Sequence, residues 1–182
     1  MKNSNSHRFR LVLTILVVIF LQRTSFAQDY SIYDSIQQLE SRIKQAGNAT
    51  LVINFWATWC QPCVEELPHF EKLKDKFPDN DIQVILVSLD FKSQLEKKFL
   101  PFLRDRNLKS EVVLLADQDV NTWIPKIEEE WDGAIPATIV FQGQKKEFSL
   151  GKFDSLEELG AFVQPFVADV NSPLKPVTCG GK

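Results

Sequence analysis

The sequence predicts an α/β protein, a three-layer α/β/α sandwich built on a central mixed sheet. Three observations carry that expectation. Short β-branched and aromatic runs alternate with stretches of helical periodicity from Tyr33 to Asp117. The segment from Ala137 to Leu150 has the form of a hairpin, followed by a closing helix. Between a strand-like run and an amphipathic helix stands Cys60-Gln61-Pro62-Cys63, two thiols at a spacing that closes a small, reducible disulfide. A length of 182 residues, 44% of them hydrophobic, fits one domain with appendages.

Each element follows from its own pattern. Tyr33 to Ala46 places Ile36, Leu39, Ile43 and Ala46 at three- and four-residue spacing, a helix ended by Gly47-Asn48. Leu51 to Ala57 reads as a buried strand, and Cys63, Leu67, Phe70, Leu73 and Phe77 mark the inward stripe of the helix after it. Ile82 to Asp90 is a second buried strand, of the parallel kind. A helix from Ser93 to about Asn107 contains Pro101, which has no amide hydrogen and should kink or split it. Val112 to Asp117 is a third strand, and Asp119 to Trp131 a short helix capped by Asp119 or a neighbour. Ala137 to Phe141 and Lys145 to Leu150 form the hairpin around Gln142-Gly143-Gln144, and Ser155 to Phe166 the last helix.

The two ends read differently from the middle. Lys2, His7, Arg8 and Arg10 precede the uncharged run Leu11 to Leu21, and Ser25-Phe26-Ala27 follows, the layout of a secretory signal peptide cleaved after Ala27. The run is shorter than the ~20 residues of a membrane span, so cleavage is favoured, with anchoring through residues 11–21 as the alternative. Domain bounds are therefore 1–27 for the signal segment, 28–167 for the folded domain and 168–182 for a tail expected to be flexible. Cleavage removes Lys2, Arg8, Arg10 and Arg23, four of the 21 basic residues, and none of the 24 acidic ones, taking the formal net charge from −3 to −7. That balance argues against nucleic acid as a partner. Three cysteines are too few and too unevenly placed for a disulfide scaffold, so the pair serves chemistry.

Thiolate is the attacking species in disulfide exchange, and a cysteine at a helix amino terminus within such a motif is more acidic than a free thiol. Cys60 has that position and is the candidate nucleophile; Cys63, one turn in, is shielded and suited to resolve the mixed disulfide. On a helical wheel Glu66 falls within the apolar stripe, apart from Glu65, Lys72 and Lys76. A carboxyl there should have a raised pKa and could take the proton of Cys63, directly or through a water. The plainer alternative is that Glu66 reaches the sheet edge and stays solvated. Ile135-Pro136, placed just before a strand, fits a tight turn.

Phe55-Trp56-Ala57-Thr58-Trp59-Cys60-Gln61-Pro62-Cys63 with Glu66-Leu67-Pro68 resembles the active-site signature of the TlpA/ResA branch of thioredoxin-like proteins. The resemblance extends over nearly the whole domain, including an extra helix and strand, Ser93 to Asp117, beyond plain thioredoxin. It implies a thioredoxin-like fold, a cis bond before Pro136, and substrate contacts from Trp59, Ile135 and Pro136. It also implies that Glu66 does the work that a strand aspartate does in thioredoxin, since Asn54 stands at that position in this chain. Such a protein acts outside the cytoplasmic membrane, reducing disulfides in exported proteins such as apocytochromes c and drawing electrons from a membrane thiol donor. No cofactor is implied.

Other readings stand beside this one. The same residues would serve a net oxidase or an isomerase, and a peroxide-reducing role fits a tryptophan-flanked cysteine pair less well. A redox-controlled or metal-carrying binding module is the alternative from a different class, with His69 the only histidine left after cleavage to join the cysteines. Trp56, Trp123 and Trp131 read as core residues. Cys179 is a third redox thiol, an intermolecular bridge or a stray exposed cysteine.

Overall fold

Seven consecutive buried residues, Thr50–Trp56, form a strand that can only lie inside a sheet covered on both faces. The computed structural model describes residues 29–167 and places that strand third from one edge of six. In chain order the elements are β1 (Ser31–Tyr33), α1 (Ile36–Gln45), β2 (Thr50–Trp56), α2 (Gln61–Glu71), α3 (Leu73–Lys76) and β3 (Ile82–Ser88). After a 3-10 turn (Lys92–Gln94) and a π turn (Leu95–Phe99) come α4 (Leu100–Arg106), β4 (Glu111–Leu115) and α5 (Val120–Ile127). The hairpin β5 (Ala137–Gln142) and β6 (Lys145–Leu150), then α6 (Leu156–Val163) with a 3-10 turn (Gln164–Phe166), complete it.

The sheet order is β1-β4-β3-β2-β5-β6. The pairs β1/β4, β4/β3 and β3/β2 are parallel, while β2/β5 and β5/β6 are antiparallel, so the expected mixed sheet is present. Alternation sends Val52, Trp56, Val84, Leu86 and Val140 to one face, under α2, α3, α4 and α6. Leu51, Ile53, Phe55, Ile85, Val87 and Ile139 face the other way, under α1 and α5. The parallel strands β2, β3 and β4 all end at the same rim, the place where open α/β sheets present their functional groups.

Several expectations need correction. Ser31–Tyr33 is a sixth strand, parallel to β4 with Tyr33 opposite Leu115, and the first helix begins at Ile36 rather than Tyr33. Three residues are too few to show a period of two, and Tyr33 stands three before Ile36, in step with the helix that follows. Gln38 Oε1 accepts from the backbone N–H groups of Asp34 and Ser35 at 2.8 and 3.2 Å, which fixes the true start. The helix over Ser93 to Asn107 is split, as expected from Pro101, with a regular α part only from Leu100; Pro101 lies in its first turn, where a missing amide hydrogen costs least. The helix begun at Val120 stops at Ile127, two residues past Pro125, and Asp119 at its start makes no side-chain capping bond. Trp131 follows in a loop, its indole N–H donating to Ala134 O at 2.8 Å. The helix carrying the Cys63 stripe breaks at Lys72 into α2 and α3, yet Leu73 and Phe77 remain buried with the stripe. The signal segment, the tail and Cys179 lie outside the described residues.

Phe99 closes the core below the split helix, its ring 5.9 Å from Tyr30 and 6.4 Å from Trp56. Phe99→Ala is expected to lower the unfolding free energy by about 3–5 kcal/mol in urea denaturation.

Candidate active site

Strand β2 ends at Trp56, and the short turn Ala57-Thr58-Trp59 delivers Cys60 to the amino terminus of α2. Cys60 is the N-cap, with extended backbone, and Val64 N–H donates to its carbonyl at 3.1 Å. Cys63 stands one turn further on and is fully buried, while Cys60 retains slight exposure. The two are joined in a disulfide with their Cα atoms 5.3 Å apart. Cys63 N–H points at Cys60 Sγ, 3.4 Å away, one of the amides that a helix start leaves without a backbone acceptor. A negative charge on that sulfur would meet both this amide and the positive end of the helix dipole.

The turn before Cys60 is pinned from β3. Asp90, buried just past the end of that strand, accepts from Thr58 N–H at 2.9 Å, Thr58 Oγ1 at 2.6 Å and Ser88 Oγ at 2.7 Å. Neither Thr58 nor Asp90 stands out in the sequence as a site residue. The signal available was a polar Ser88-Leu89-Asp90 ending on an otherwise apolar strand. Facing the disulfide from the other side, the Ile135–Pro136 bond is cis, as the resemblance implies, and Ile135 O lies 3.8 Å from Cys60 Sγ. Trp59, beside Cys60, is 58% exposed. Cys60, Cys63, Trp59, Ile135 and Pro136 thus belong to one rim of the molecule, with Glu66 beneath it.

Glu66 points inward and has no exposed surface, which removes the solvated alternative. Its carboxyl sits in the seam between α2 and the sheet. Asn54 Nδ2 donates to Oε1 at 2.8 Å and Phe153 N–H donates to Oε2 at 2.9 Å. Asn54 faces Thr138 directly across the antiparallel β2/β5 pair, and the same Nδ2 reaches Thr138 Oγ1 at 3.1 Å. Burial pushes the Glu66 pKa from 4.5 up to about 7, against the pull of the two donors and of the Lys152 cation. Lys152 Nζ is itself held by Glu65 at 3.1 Å and Asp154 at 3.0 Å. Both donors favour the anion, and burial alone opposes it. Asn54 Oδ1, buried in the same seam, has no hydrogen-bond partner. Thr138 and Phe153 were missed in the sequence because strand pairing and the chain's return after β6 bring them to this seam.

His69 is half-buried in the last turn of α2. Among the described residues no group of three or more His, Cys, Asp or Glu side chains is placed to hold a metal ion. No helix among them is long and apolar enough to cross a membrane.

The raised pKa of Glu66 links protonation to stability. Between pH 4.5 and about 7 the folded state binds the proton that the unfolded chain has released, so wild-type stability falls as pH rises through that window and levels off above it. Relative to wild type, Glu66→Gln is expected to gain about 3 kcal/mol across the same window, measured by urea denaturation at stepped pH. Asn54→Leu deletes a donor to the anion and should extend the falling limb to higher pH.

Comparison with known proteins agrees with this geometry. The chain is 29% identical to the thioredoxin-like protein YneN of Bacillus subtilis, over 52% of this chain and 54% of that protein. It is 25% identical to the thiol-disulfide oxidoreductase ResA of Oceanobacillus iheyensis, over 49% of this chain and 56% of that one. The chain therefore spans about half the length of these relatives. The solved thioredoxin-related protein from Neisseria meningitidis serogroup B superposes with a TM-score of 0.54 at 21% identity, covering 67% of this chain and 88% of that one, which shows a thioredoxin-like fold. Residues 26–146 match the AhpC/TSA family, and the chain belongs to it.

Proposed function

We propose that this chain is an exported thiol–disulfide oxidoreductase that works in the reducing direction on protein disulfides. The observation that carries the reading is the Cys60–Cys63 disulfide at the start of α2, with a buried carboxyl one turn behind Cys63. The names of the relatives support the reaction class. The layout of residues 1–27 supports export.

In the dithiol form, Cys60 thiolate attacks one sulfur of a substrate disulfide; a Cys60–substrate bond forms and the first substrate thiolate leaves and takes a proton. Glu66, ionised in part near neutrality, accepts the proton of Cys63. Cys63 thiolate then attacks Cys60, the Cys60–Cys63 bond forms as the Cys60–substrate bond breaks, and the second substrate sulfur departs as a thiolate that takes up the proton held by Glu66. Two electrons pass from the dithiol to the substrate, and an external, membrane-borne thiol donor restores the pair. Trp59 and the Ile135-Pro136 turn border the attacking sulfur and take the substrate chain. Disulfides of exported proteins, apocytochromes c among them, are the proposed substrates.

Insulin reduction driven by dithiothreitol is expected to require Cys60, with turnover lost in Cys60→Ser. Cys63→Ser should accumulate mixed disulfides that a reductant releases. Glu66→Gln should slow resolution of the mixed disulfide on the order of 10²-fold near neutral pH. Turnover that survives Cys60→Ser would contradict the reading.

A further inference from the structure

Large apolar side chains exposed at a rim need an explanation, and in this fold three gather at one. Among the described residues Phe91 is 70% exposed, Trp59 58% and Val120 41%. All three follow, or lie close behind, the carboxyl ends of the parallel strands β2, β3 and β4. Phe91 and Val120 flank a groove of about 670 Å³ whose apolar lining is completed by Leu89, Leu115, Trp123 and Ile124. That is room for a short run of polypeptide rather than a single side chain. Gly133 forms part of its wall at φ +89, a left-handed backbone conformation that other residues rarely adopt.

The groove is acidic and joined to the redox site. Half-buried Asp117 and exposed Asp132 line it against one cation, Lys92, which is paired with Asp34 at 2.7 Å. Asp90 holds Thr58, the residue before Trp59, through two hydrogen bonds. The wall residues Asp132 and Gly133 lead within two positions to Ile135, whose carbonyl lies 3.8 Å from Cys60 Sγ. Both sides of the groove therefore run into the attacking sulfur's surroundings.

We propose that this groove receives the polypeptide segment beside the substrate's disulfide and selects one with an apolar side chain flanked by lysine or arginine. The apolar side chain covers Phe91 and Val120, and the basic ones meet Asp117 and Asp132. This inference rests on the disulfide-reducing reading and adds the class of segment it acts upon.

The test uses the pre-reduced protein and short peptides carrying one cysteine as a mixed disulfide with thionitrobenzoate. One peptide has leucine and lysines beside the cysteine, a second has glutamates for the lysines, and a third has serine for the leucine; dithiobis(nitrobenzoate) is the small-molecule probe. The first peptide is expected to release thionitrobenzoate about tenfold faster than either counterpart. Its advantage over the serine peptide should approach unity in Phe91→Ser and in Val120→Ser. Its advantage over the glutamate peptide should shrink as ionic strength rises from roughly 0.01 to 1 M. Equal rates for the three peptides, or a leucine preference untouched by both substitutions, would overturn the proposal. Self-association of the wild type that is lost in Phe91→Ser, measured by sedimentation, would overturn it in favour of a second copy of the chain. Absence of release from every probe, the small molecule included, would instead sink the redox reading beneath it.

Discussion

A carboxyl with no exposed surface, set between the cysteine helix and the sheet, is the constraint around which the site is arranged. Glu66 is held there by groups from three other segments: Asn54 on β2, Phe153 beyond β6, and Thr138 on β5 through Asn54. A buried charge of this kind is costly unless donors surround it, and two donors only partly offset the burial. The result is a group that changes charge near neutrality instead of near pH 4.5. Such a group is useful next to a thiol that must give up its proton during exchange and regain it afterwards.

The two cysteines divide the work because the helix start treats them differently. Cys60, at the cap, has an amide directed at its sulfur and a path to solvent; Cys63, one turn in, has neither exposure nor room for a substrate chain. Strand β2 unites both halves of this arrangement. Its carboxyl end sets Cys60 at the rim, and Asn54 in its middle supports Glu66 below. Asp90 fastens the intervening turn to β3, so the geometry of the pair is fixed from two strands at once.

Much of this was legible in the residues. The continuous apolar run of β2, the stripe Cys63-Leu67-Phe70 and the isolation of Glu66 within it are local patterns, and each survives in the structure. The mixed sheet followed from the order of runs and the terminal hairpin. What stayed hidden depends on contacts distant in sequence. Strand β1 has three residues and is defined by β4, 82 positions later. Thr138 becomes a site residue only through the antiparallel register that sets it against Asn54. Phe153 contributes a backbone amide, which no side-chain pattern announces. Pro101 accounts for the split of the helix before Leu100, but no residue pattern marks the π turn upstream of it.

The most direct measurement of the central claim is a carbon-13 titration of the Glu66 side-chain carboxyl, assigned by comparison with Glu66→Gln, in the disulfide form of the protein. A midpoint near pH 7 is the expected result, well above the ordinary glutamate value. A midpoint near 4.5 would show a carboxyl that water still reaches, and Glu66 could not then serve as the proton acceptor for Cys63.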